Sequence, residues 1–413
     1  IEVGAGADPL DIEDNPRVRG DFVFVVPYDE SPAPTRDTIN FRTNVQFADV
    51  YFQMDTSGSM SAEISTMRNA VVEIIDNITC EDFGTPCTAV SDCEFHPDSI
   101  CGAGGTCIED PERTFCIASL WTGVGRYDGN PRSYRNLLSL QPTPSLTRDR
   151  IPTSADGGGA TEPLFQSNAC MVEPTICGAL GCTVGGIGCP SFRVDAVRMS
   201  ITITDEENQC DSAPSCSPVT ALEAAMPMRA QQITFAGINA GTAALTTEDL
   251  TALARETGSF GATGEPLVFQ AGDAGTPEGA MRLIDSVTSA INEVVRNRPL
   301  RISIDPSDEP GDAGDALQFI QRLEINVTRP GCTLLDNTSD VNPRDGFDDT
   351  FDAVQPGNRV CWDVLVRRNE FVEPTAEPQL FRARLTVRGD GSPVDSRIVY
   401  FLVPPRVDII LPQ

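Results

Sequence analysis

The sequence predicts a mixed chain: an α/β domain inserted in an all-β sandwich, with disulfide-rich inserts. Three observations lead there. Between residues 48 and 298, short apolar runs alternate with helix-period segments, the pattern of a mostly parallel sheet covered on both faces. After Pro299, strands follow one another through Asp/Gly/Pro-rich loops with no long helical period between them. The cysteines crowd into loops: Cys80, Cys87, Cys93, Cys101, Cys107 and Cys116 fall within 80–116, and Cys170, Cys177, Cys182 and Cys189 within 170–189.

Taken in order, residues 1–17 are acidic and carry Gly and Pro, the composition of a flexible arm. Residues 18–47 hold two strands, 21–27 and 38–47, the second alternating as Ile39, Phe41, Thr43, Val45 and Phe47. The α/β region 48–298 starts with an apolar run, followed by a helix over 63–78 with Ile64, Met67, Val71, Ile74, Ile75 and Ile78 on one face. Further strands are expected at 115–120, 194–204 and 234–238, and helices at 245–257 and 280–296. In 299–413, strands are expected at 300–304, 323–327, 359–366, 380–387 and 397–403. Five strands are few for a sandwich, so the two in 18–47 are expected to complete it, with Cys332 and Cys361 as a natural pair.

Composition narrows the function. The 413 residues carry a formal charge of −30 and a pI near 4.2; all 30 basic residues are Arg, in no basic cluster. A nucleic-acid partner is therefore not expected, and anionic membranes should be repelled. Fourteen cysteines with one histidine and no zinc-type knuckle point to disulfides, hence to an oxidising space outside a cytoplasmic membrane. No apolar run reaches the roughly 18 residues of a transmembrane segment. The chain does not open on a basic-then-apolar leader, so Ile1 is expected to follow a cleavage or a further segment. His96 stands alone, which excludes a histidine-dependent catalytic triad.

Three stretches carry chemistry. An apolar run ends in Asp55-Thr56-Ser57-Gly58-Ser59, just before a helix; a glycine loop at 156–160 leads into Thr161; and Ile-Thr-Ile-Thr at 201–204 runs into Asp205. Taken singly, Asp55 or Ser57 is an ordinary helix cap. In a parallel sheet, however, all three loops would open at the carboxyl ends of strands, where open α/β sheets place ligands. Asp55, Ser57, Ser59, Thr161 and Asp205 then make an all-oxygen set suited to Mg2+, Ca2+ or Mn2+ and unsuited to zinc or copper. So few charges leave an ion under-neutralised, able to accept a carboxylate from a partner.

These three ordered motifs resemble the metal-ion-dependent adhesion site of von Willebrand factor type A domains, over about residues 48–298. The resemblance implies a Rossmann-like sheet and a divalent ion. Ser57 and Ser59 would be direct ligands, Thr161 direct in some states, and Asp55 and Asp205 direct or through water. Insertion in a β-sandwich is similar to the integrin β subunit. That family places two further acidic residues after the serines, where this chain has Ala62 and Glu63, so an adjacent second ion is not expected. The β tail, with 359–364 and 399–405, is similar to tails of secreted bacterial proteins that carry such domains.

The expectation is an extracellular, non-enzymatic protein that captures a protein ligand by an exposed Asp or Glu, with the cysteine inserts shaping the rim. The alternative is a structural subunit of a surface filament or matrix, self-associating through sandwich edges and the arm 1–17. The acidic loops 305–315 and 336–352 read as solvated loops, and Arg19-Gly20-Asp21 as a chance tripeptide at the start of a strand.

Overall fold

Alternating and continuous apolar runs decide where the strands of this chain pair. The computed structural model describes residues 22–87, 90–102, 105–128, 134–155, 161–183, 185–210, 218–332, 337–341 and 344–406. The arm 1–17, Arg19-Gly20-Asp21, the glycine loop 156–160 and Cys216 lie outside the described residues. The fold divides into two compact units, one of Ile1–Thr43 with Leu300–Gln413 and one of Asn44–Pro299.

The outer unit begins with β1 (Phe22–Val25) and β2 (Arg36–Arg42). The strand expected over 38–47 thus stops at Arg42, and a new strand starts at Phe47. Thr43 turns its hydroxyl to the Asn358 carbonyl at 2.9 Å, a side-chain bond that competes with strand continuation.

The inner unit opens with β3 (Phe47–Asp55) and α1 (Ser61–Asp76). A small disulfide-bound sheet follows: β4 (Asp82–Pro86), β5 (Ser99–Cys101) and β6 (Thr106–Glu109), then the short α2 (Pro111–Thr114). The strand expected at 115–120 begins instead at Ser119, as β7 (Ser119–Tyr127), because Phe115 to Ala118 still belong to the stapled insert, through Cys80–Cys116. Next come β8 (Arg135–Gln141), α3 (Pro144–Arg150), α4 (Leu164–Val172) and β9 (Val197–Thr204). The unit finishes with α5 (Ala221–Ala230), β10 (Ile233–Asn239), α6 (Ala244–Thr257), β11 (Val268–Gln270) and α7 (Pro277–Asn292).

Its main sheet runs β11-β10-β9-β3-β7-β8. All pairings are parallel except β7 with the edge strand β8. β3 and β9 are at its centre and are buried on both faces, although β9 alternates apolar with polar residues and β3 carries Asp49 and Gln53. Met67, Val71 and Ile74 of α1 and Leu283 and Val287 of α7 are fully or almost fully buried, each worth roughly 1.5–3 kcal/mol.

The outer unit resumes with β12 (Leu300–Asp308), β13 (Ile320–Ile325), β14 (Thr338–Ser339), β15 (Thr350–Val354), β16 (Arg359–Val366), β17 (Gln379–Gly389) and β18 (Ser392–Val403). They form two sheets, β1-β18-β17-β12-β15-β14 and β13-β16-β2. Trp362 of β16 joins them: its ring meets Phe41 of β2 edge-on at 5.7 Å and Phe351 of β15 at 5.2 Å. Its indole nitrogen donates to the Asp349 carbonyl at 3.1 Å, so the buried polar atom is satisfied.

Six disulfides are formed among the described residues: Cys80–Cys116, Cys87–Cys101, Cys93–Cys107, Cys170–Cys177, Cys182–Cys189 and Cys332–Cys361. Cys210 is also disulfide-bonded. Among the described residues no helix is long and apolar enough to cross a membrane.

Candidate metal centre

Parallel register decides which side chains meet. β3 and β9 pair with Met54 beside Ile203, which brings Asp55 level with Thr204 and next to Asp205. The Asp55 carboxylate is fully buried. One oxygen accepts from the Ser57 backbone N–H at 2.8 Å, and the other from the Thr204 hydroxyl at 2.7 Å. The turn that follows is anchored from β7, since Thr56 N–H donates to the Tyr127 carbonyl at 3.1 Å and its hydroxyl to Asp128 at 2.9 Å. Held this way, the Ser57 and Ser59 hydroxyls lie 3.2 Å apart, and Ser59 donates to Asp205 Oδ1 at 3.1 Å.

Asp55, Ser57, Ser59 and Asp205 therefore form one hydrogen-bonded set at the ends of neighbouring strands. Thr161 is buried on an adjoining loop, with no direct bond to the other four among the described residues. Its neighbour Glu162 ties that loop in place, because the Glu162 carbonyl accepts from Gln209 N–H beyond β9 at 2.9 Å.

The electrostatics are one-sided. Burial pushes Asp55 up to about 7; its bonds from Ser57 and Thr204 oppose this, and Asp205 adds to it. Burial likewise pushes Glu162 up to about 8, reinforced by Asp55, Glu206, Asp205 and Glu207. Asp205 and Glu206 are both raised, chiefly by burial. Among the described residues, the charged neighbours acting on Asp55 and Glu162 are acidic. Such a group is costly unless a cation is shared. The donors are all hard oxygens and the cysteines are occupied in disulfides, so the set fits a hard divalent ion.

Glu162 and Glu206 each directly follow a motif residue, but only Glu206 lies in a short acidic run, and nothing in the local sequence marks Glu162. Glu63, the acidic residue after the serines, accepts from Ala274 N–H at 2.8 Å through one oxygen, has no hydrogen bond at the other among the described residues, and is raised by burial with Asp205 adding to it.

No family model matches the chain, and no curated protein matches it. Among solved structures, the chain is similar to a von Willebrand factor type A protein from Catenulispora acidiphila, with 12% identity over 92% of this chain and 72% of that one, at a TM-score of 0.36. It is also similar to the pilus adhesin SpaC from Lactobacillus rhamnosus GG, with 13% identity, 88% and 45% coverage, and a TM-score of 0.33. The manganese-loaded TRAP protein of Plasmodium vivax follows, with 12% identity, 63% and 78% coverage, and a TM-score of 0.33. The chain thus spans under half of the SpaC structure. Likeness at this level concerns folding pattern and carries no argument about activity.

Proposed function

We propose that the inner unit, which has the fold of a von Willebrand factor type A domain, holds a divalent cation at Asp55, Ser57, Ser59, Thr161 and Asp205 and uses it to capture an acidic side chain of a protein partner. The observation that carries this reading is the hydrogen-bonded oxygen set at the ends of β3 and β9, with Asp55 and Ser57 buried, Ser59 open to solvent and no compensating positive charge among the described residues. A bound Mg2+, Ca2+ or Mn2+ would supply an electrophilic centre with positions open to a carboxylate.

The chain's own residues prepare that centre. Ser57 N–H and the Thr204 hydroxyl fix both oxygens of Asp55, so its orientation does not have to be found on binding. Ser57 and Ser59 contribute neutral oxygens, which keep the net negative charge low and leave an incoming carboxylate attractive. The stapled insert 80–116 lies at the opposite end of the sheet, where Cys80 N–H donates to the Ile117 carbonyl and Ser119 pairs with Phe47 at the start of β3, so the expected rim role falls to the insert 170–189, whose Leu180 bridges Arg135 beside the end of β7. The disulfides support a location outside the cytoplasm. No catalytic role is assigned to any residue.

Calorimetric titration of Mn2+ into EDTA-treated protein tests the ion, and pull-down from the native surface with and without EDTA tests the partner. One high-affinity ion, lost in folded Asp55→Ala and Ser57→Ala proteins together with the partner, is expected. Partner binding that survives both substitutions and EDTA would remove the proposal.

A further inference from the structure

In a chain this acidic, one basic cavity requires an explanation. A pocket of ≈ 570 Å³ beside β7 and β8 is lined by Arg126, Arg135, Arg150, Asp149, Thr153 and Ser154, among others. Arg126 and Arg135 stand directly opposite each other in the antiparallel pair. Like charges so placed destabilise a sheet, so packing gives no reason for them. Among the described residues, Asp149 is the single carboxylate of the lining, and it already accepts from Arg148 Nε at 2.9 Å. Arg126 has interactions of its own, whereas Arg135 and Arg150 are exposed and form no ion pair among the described residues.

The pocket's place in the sheet indicates what it could hold. β7 runs parallel to β3, with Tyr127 beside Asp55 and Arg126 beside Met54, and β8 is the next strand out. At about 4.8 Å between strands, the Arg135 backbone lies about 10 Å from the end of β3. About three residues of extended peptide cover that span.

We infer that this pocket is a second anion subsite, where Arg135 and Arg150 receive another carboxylate of the same acidic partner segment, about three residues from the one captured at the oxygen set. The inference rests on the capture proposed above. It gives the partner a chemistry: a segment with two acidic residues spaced along an extended chain. Planar guanidinium groups pair with carboxylates through two parallel bonds, which gives this subsite directional selectivity.

Two measurements on the full chain separate this inference from the capture reading. In the first, synthetic peptides containing Asp-Gly-Gly-Asp or Asp-Gly-Gly-Asn are bound with Mn2+ present. The doubly acidic peptide should bind about tenfold more tightly, and Arg135→Gln with Arg150→Gln should erase that difference while leaving the singly acidic peptide unaffected. An advantage that persists in the double variant, or is absent from the natural chain, overturns the subsite. In the second, succinate is titrated into EDTA-treated protein while the arginine Nε–Hε resonances are followed. Shifts confined to the pocket arginines support the subsite even if neither peptide responds to Mn2+, an outcome that would sink the capture reading alone. Unmoved Arg135 and Arg150 resonances at tens of millimolar succinate overturn the subsite whatever the metal does.

Discussion

β3 carries a fully buried aspartate near each end, and the chain treats the two in opposite ways. Asp49, near its start, receives the Arg193 backbone N–H at 2.6 Å and its Nε at 2.7 Å. That guanidinium also bonds to Ser119 and the Ala48 carbonyl and lies over the Trp121 ring at 4.5 Å. Burial still raises Asp49, but Arg193 and Arg198 pull it back down. Asp55, at the other end, has only an amide and a hydroxyl, and its charged neighbour Asp205 pushes it further up. The first arrangement is complete within the chain. The second has no positive charge beside it among the described residues, and that difference separates a structural carboxylate from one prepared for a ligand.

The contrast can be broken most forcefully at Asp49. Arg193→Ala should strand a buried charge and lower unfolding stability by about 3–5 kcal/mol in urea denaturation. A loss below about 1 kcal/mol would mean that the pairing is not what keeps Asp49 buried. At the other end, Asp55→Asn should change the stability of the EDTA-treated protein little, since it relieves the repulsion from Asp205 while an amide nitrogen replaces one of the two oxygens that accept from Ser57 and Thr204. With Mn2+ at one hundred times its dissociation constant, the natural chain should gain about 2.7 kcal/mol and the variant almost nothing. Thermal melts with and without Mn2+ compare the two. The smallest effect is expected from Ser59→Ala, which deletes one bond to Asp205 and one neutral oxygen. Its metal-free stability should change by about 1 kcal/mol or less, while Mn2+ affinity falls measurably in calorimetry.

The sequence made much of this site legible because each contributing strand, the largely apolar β3 and the alternating β9, ends abruptly in oxygen side chains. That is how β3 and β9 could be placed and why Asp55, Ser57, Ser59 and Asp205 could be grouped before their register was known. Other features had no such local mark. β8 is a half-buried edge strand, Arg-Asn-Leu-Leu-Ser-Leu-Gln, whose antiparallel direction only pairing with β7 reveals. α5 contains Pro227, which breaks a helical reading, yet its Thr220/Glu223 capping box and buried Ala224, Ala225 and Met228 hold it helical. β15 is five residues among acidic loops, and tertiary contact of Phe351 with Trp362 rather than sequence pattern identifies it. Glu162 joins the site through burial and through Asp55, neither of which a linear reading supplies.

The central claim is that distant loops share one cation through their oxygens, and its most direct test is anomalous diffraction from crystals of the full chain soaked in Mn2+. The account predicts a single strong peak within about 2.0–2.6 Å of the Ser57 and Ser59 hydroxyl oxygens, facing Asp205 and the Thr161 loop, and none in crystals of Asp55→Asn. A peak only at the acidic loops of the outer unit, or a peak at the serines that persists in Asp55→Asn, would contradict it.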